Sequence, residues 1–112
     1  MSEATVDPKW GTFTPPDGAT YRQIEVSERA DWSLFERLAE RLKASLRGRW
    51  TEQIDGLDER YWDFEAAGGK LTLHLQHYLG ITLYPTAGTA ADDESLALLD
   101  AAYEVLAAEV TV

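Results

Sequence analysis

The stretch from residue 60 to residue 85 constrains the fold most, because its apolar residues recur at every second position. Leu71, Leu73 and Leu75 alternate with Thr72, His74 and Gln76. Trp62 and Phe64 alternate with Tyr61, Asp63 and Glu65, and Ile81 and Leu83 with Thr82 and Tyr84. That is the period of a half-buried strand, whose successive side chains point to opposite faces. Gly68-Gly69 is a hairpin signal between the first two runs, and Pro85 ends the third. A further candidate strand, Trp50 to Ile54, is closed by the turn Asp55-Gly56-Leu57-Asp58. Together these runs predict an antiparallel meander with one apolar and one polar face.

An apolar sheet face must be covered, and two helical patterns are present to cover it. Between Ser27 and Gly48, Trp32, Phe35, Leu38, Leu42 and Leu46 fall three or four apart and form one stripe. Ser27, Asp31 or Ser33 would cap this helix, and Gly48 suits its C-terminal end. The basic group Arg41, Lys43, Arg47 and Arg49 suits the negative end of the helix. A second helix is expected from Asp92 to Glu109, with Leu96, Leu99, Tyr103 and Leu106 inward and Asp92, Asp93 and Glu94 in its first turn.

Ahead of the first helix, Thr20 to Val26 alternates as a strand. Residues 1–19 contain Pro8, Pro15, Pro16, Gly11 and Gly18 and predict an irregular N-terminal arm. Its Trp10 and Phe13 are expected to dock on the rest of the chain or on a partner. The expectation is therefore a single α+β domain over residues 20–112. It has an antiparallel sheet of four to five strands, two helices on one face, and the order β-α-β-β-β-α. With 45% hydrophobic residues among 112, the chain has enough material for a core without staples.

Composition removes several chemistries. The chain has no cysteine, which excludes a thiol nucleophile, a disulfide framework and thiolate metal sites. His74 and His77, the two histidines, are three apart on a strand and would face opposite ways, so neither a metal nor another cofactor is expected. There is no nucleophile elbow and no phosphate-cradling glycine loop. The N-terminus lacks a basic segment followed by an apolar run, so no signal peptide is expected; with the absence of cysteine this points to the cytoplasm. No apolar stretch has the length of a membrane span.

The formal charge is −10, from 20 acids and 10 Lys and Arg. Such a surface repels phosphate backbones and anionic membranes, and is complementary to a basic protein. From Leu71 to the C-terminus there is no Lys or Arg at all. If the apolar strand residues face the helices, the opposite face carries Tyr61, Asp63, Glu65, Thr72, His74, Gln76, Thr82 and Tyr84, with no Lys or Arg. Tyrosine-bearing polar surfaces of this kind suit protein binding. Tyr61, Asp63, Glu65, His74, Gln76 and Tyr84, joined by Asp100 and Glu104 of the acidic last helix, are the candidate contacts.

The runs Tyr61-Trp62-Asp63-Phe64-Glu65, Gly69-Lys70-Leu71-Thr72-Leu73-His74 and Gly80-Ile81-Thr82-Leu83-Tyr84-Pro85 resemble the hairpin core of small bacterial α+β domains of unknown function. In style the chain is also similar to immunity proteins of bacterial toxin systems. The resemblance implies a non-catalytic protein-binding module that occludes or sequesters its partner. Two other readings stand beside it: a small ligand-binding domain or enzyme using His74 with Asp63 or Glu65, and a structural subunit that self-associates into a homo-oligomer.

Overall fold

Strand β5 (Gly69–Gln76) shows the alternation at its clearest, and in the computed structural model its Leu71, Leu73 and Leu75 have no solvent exposure. The structure describes residues 6–16 and 18–109. Around β5 the chain forms β1 (Lys9–Phe13), β2 (Tyr21–Ser27), α1 (Trp32–Leu46), β3 (Arg49–Asp55), β4 (Glu59–Ala66), β6 (Gly80–Pro85) and α2 (Asp93–Ala107). A short 3-10 turn, Gly88–Ala90, precedes α2. The strands make one antiparallel sheet in the order β1-β2-β6-β5-β4-β3. Both helices pack against one another and on β5, so they share one face.

The α+β class holds, but the sheet has six strands rather than four to five, and the element order is β-β-α-β-β-β-β-α. The extra strand lies in the segment expected to be an irregular arm. Pro8 and Pro15 flank Lys9–Phe13 instead of interrupting it, and β1 pairs with β2 at the sheet edge, where flanking prolines are tolerated. Trp10 of this strand stacks on Tyr103 of α2 at 4.9 Å, under the guanidinium of Arg22 at 4.0 Å. Of the arm, residues 1–5 and 17 lie outside the described residues.

Asp31 is the N-cap of α1, its Oδ1 accepting from the backbone N–H of Leu34 at 2.9 Å. At the other end, Arg47 rather than a glycine takes the left-handed conformation, with φ 54°. Gly48 serves packing: a Cβ there would run into the ring of Phe64. The buried stripe of α1 is Leu34, Phe35, Leu38, Ala39 and Leu42, and that of α2 is Ser95, Leu98, Leu99, Ala102 and Leu106. Trp32 and Leu96, read from the sequence as inward, stand about 40% exposed, one residue position off those stripes.

A bulge between Trp50 and Glu52 breaks the parity of β3. Trp50 therefore packs inward on Phe64 at 4.8 Å, while Ile54 faces out beside Tyr61 with 54% exposure. The same shift places Asp55 directly opposite Arg60 on the helix-covered face.

Among the described residues Arg60 is the one long cation in the core, its side chain 4% exposed. Its Nε and Nη2 donate to the two oxygens of Asp55 at 2.9 and 3.2 Å, and Nη2 also reaches Glu36 at 3.2 Å. Its guanidinium lies 4.5 Å from the ring centres of Trp32 and Trp62 and 4.9 Å from that of Phe35. Nη1 has no oxygen partner, so the faces of these rings are what it meets. Asp55 also accepts from Trp62 Nε1 at 2.8 Å. Hydrogen bonds from Arg60 and then Trp62 hold its carboxyl below the ordinary range.

Two substitutions test this packing by urea unfolding. Leu73→Ala is expected to cost about 2–5 kcal/mol, and a loss below about 0.5 kcal/mol would contradict its central placement. Arg60→Ala is expected to cost at least about 2 kcal/mol, because it removes a desolvated cation–π contact and the fork on Asp55; a neutral result would mean that the cage contributes nothing.

Candidate functional site

The alternation that puts leucines under the helices puts a second set of side chains on the opposite face. Glu59, Tyr61, Asp63 and Glu65 of β4 lie beside Gln76, His74, Thr72 and Lys70 of β5 in register. Tyr84 and Thr82 of β6 continue the rows from Thr72 and His74. Phe13 and Tyr21 complete the face at the β1–β2 end. Large side chains leaning on cross-strand neighbours leave most of these residues half-buried without a covering layer.

Five rings from five strands meet in one row. Phe13 abuts Tyr21 edge-on at 5.5 Å, Tyr21 meets Tyr84 at 6.2 Å, and Tyr84 meets His74 edge-on at 6.3 Å. His74 then stacks on Tyr61 at 4.2 Å with 13° between planes. The Gly88 turn packs on the Tyr21 ring, and Thr86 bonds Thr72 at 2.9 Å, closing the row on one side.

Carboxylates border the row. Glu59 Oε2 accepts the Tyr61 hydroxyl at 3.2 Å, and its Oε1 lies 3.7 Å from His74 Nε2, beyond hydrogen-bond length. His74 Nε2 is buried without a hydrogen-bond partner. Asp63 Oδ1 accepts from Thr72 Oγ1 at 2.8 Å, and Glu65 faces Arg49 at 3.4 Å. Burial lowers the His74 pKa from its usual 6.5, outweighing the opposing pull of Glu59, so its ring is neutral at pH 7. Burial first, then the neighbouring Tyr21, Tyr61, Asp63 and Glu59, push the Tyr84 phenol far up. Burial and then Glu59 raise Tyr61. All three phenols stay protonated and available as donors.

Six of the candidate contacts named from the sequence, Tyr61, Asp63, Glu65, His74, Gln76 and Tyr84, do share this face. Asp100 and Glu104 do not join them: they lie on α2, across the sheet, with Asp100 beside Arg22 at 3.6 Å. The acid that His74 approaches is Glu59, at 3.7 Å, while Asp63 accepts from Thr72 and Glu65 faces Arg49. The face is also not free of cations throughout. Lys9, Arg49 and Lys70 share its parity, but each sits at a strand end beside an acid: Lys9 by Asp7, Arg49 and Lys70 by Glu65. The sequence expects Phe13 to dock without fixing where, and it leaves Tyr21 and Glu59 out of the face. Tyr21 carried the right parity, but nothing local says that β2 lies beside β6. Glu59 lies outside the alternating run, which begins at Arg60, although the strand itself begins at Glu59.

His77 sits in the turn after β5, edge-on to Tyr78 at 4.7 Å and away from His74. Among the described residues no three His, Cys, Asp or Glu side chains gather to hold a metal ion. No helix among them is long and apolar enough to cross a membrane.

The model of the family described as "Protein of unknown function (DUF3630)" matches residues 18–103, and the chain belongs to that family. The match runs from ahead of β2 to within α2 and leaves β1 outside. No curated protein and no solved structure matches the chain.

The lowered His74 pKa has a consequence for stability. Well above about pH 6.5 both the folded and the unfolded forms hold a neutral ring, and the group has no effect. As the pH falls below that value the unfolded chain takes up the proton first, so stability declines towards the lower folded pKa. His74→Gln is expected to lose less stability than wild type between about pH 7.5 and pH 5.5 in urea titrations. Equal losses in the two proteins would show that His74 is not held neutral by its burial.

Proposed function

We propose that this chain is a non-catalytic binding module that holds a protein partner against its open sheet face and acts by occluding or sequestering that partner. The observation that carries the reading is the row Phe13-Tyr21-Tyr84-His74-Tyr61 across five strands, on the face opposite the helices. Aromatic side chains with polar tips supply contact area at low entropic cost and are enriched at interface cores. The bordering acids and the net charge of −10 favour a basic partner and a fast, steered encounter. A bacterial cytoplasmic setting, with a role like that of toxin-immunity proteins, fits the small, acidic, cysteine-free chain.

Affinity capture with matched variants tests the reading. Folded Tyr61→Ala and Tyr84→Phe proteins are expected to lose a partner that folded Asp100→Ala and Glu104→Ala proteins retain. For that partner, association should slow as salt rises from about 0.1 M to 1 M, where the Debye length shrinks from about 10 Å to 3 Å. Loss of the partner only in the α2 variants, or its retention by all four, would move the binding surface elsewhere.

A further inference from the structure

We infer that the middle of the open face receives one cationic side chain, the guanidinium or ammonium group of an Arg or Lys on the partner, between Tyr21, Tyr61 and Tyr84 and against Glu59 and Asp63. This rests on the preceding reading for the partner being a protein and names the group that the face recognises.

The chain itself demonstrates the recognition on the opposite side of the same sheet. There, Arg60 is enclosed by the rings of Trp32, Phe35 and Trp62 and held by the carboxylates of Asp55 and Glu36. The open face assembles the same two ingredients, aromatic rings in mutual contact and two carboxylates beside them. Here, among the described residues, no Lys or Arg is paired with either carboxylate. Glu59 and Asp63 take only hydroxyl hydrogens, from Tyr61 and Thr72.

The cations that share the face are each beside another acid, and Glu52 of β3, in register opposite Asp63, adds negative charge next to these two. From β4 and β3, Glu65 and Arg49 face each other; from β5, Lys70 lies opposite Glu65; from β1, Lys9 is beside Asp7. Glu25 of β2 adds further negative charge at the far side. His74 is neutral, and its buried Nε2 points to no acceptor within hydrogen-bond length. The phenol of Tyr84 feels carboxylates and other phenols only. A desolvated aromatic surface with uncompensated carboxylates is complementary to a cation and repels an anion. A second copy of this chain would set acid against acid, so it is the less suitable occupant.

The test uses the whole chain and two probes: an arginine–glycine peptide, and the same peptide with citrulline, which keeps the shape and removes the charge. Ring resonances of His74, Tyr61 and Tyr84 are followed by NMR at constant ionic strength, with circular dichroism confirming that each variant is folded. The arginine peptide is expected to shift those rings and the citrulline peptide to leave them in place. E59Q/D63N should weaken binding at least about tenfold, while D100N/E104Q changes it less than about twofold.

Equal shifts with citrulline, shifts gathered on α2, or unchanged affinity in E59Q/D63N would each overturn the inference. So would self-association of the protein alone that E59Q/D63N strengthens, since a second copy would then be the occupant. If the arginine peptide does not bind here but Tyr61→Ala still loses a captured partner, the cation receptor fails and the binding module stands. If the peptide binds here and no partner depends on the face, the reverse holds.

Discussion

The register between β4, β5 and β6 is the constraint on which everything else depends. Leu73 lies opposite Trp62 on one side and Leu83 on the other, and all three face the helices. The same pairing sets His74 opposite Tyr61 and Thr82 on the reverse face. A slip of one residue would exchange Leu73 for His74 and expose the leucines. The core therefore determines the open face: the stacking of Tyr61 on His74 is fixed by apolar contacts made on the other side of the backbone. Little freedom remains to arrange the ring row except through the identity of the side chains.

Arg60 shows how the same alternation can place a charge where apolar residues belong. A buried guanidinium is costly unless its donors and its charge are met. Asp55 meets two donors from directly across the hairpin, Glu36 reaches over from α1, and three rings take the remaining face. Because these partners belong to β3, β4 and α1, the cage ties the outer hairpin to the helix.

The strands from residue 60 onward and both helices were legible because each follows one uninterrupted period. What escaped the sequence was relational. Parity put Arg60 on the inner face beside Trp62 and Phe64, but only the bulge at Trp50 brings Asp55 across to accept it. Lys9–Phe13 is too short, and too closely flanked by prolines, to declare a period, and becomes a strand through pairing with β2. The face residues of β4 to β6 could be named from alternation alone. Phe13 and Tyr21 could not, since their place in the row depends on β2 lying next to β6, more than fifty residues later in the chain. Arg47 held the left-handed position expected of Gly48 because the glycine was needed against Phe64 instead.

That strand order has a consequence for how the chain is made. β2 finds one neighbour, β1, as soon as the hairpin leaves the ribosome, but its other edge stays unpaired until β6 has been synthesised. Closing so long a loop is slow relative to zipping up the local meander of β3 to β6. Loop closure therefore favours forming the meander first and adding the earlier hairpin to it, and until β6 is in place β2 has a bare edge. Its Arg22 and Glu25, with Pro15 and Pro16 close ahead, are the residue types that discourage a wrong chain from pairing there first.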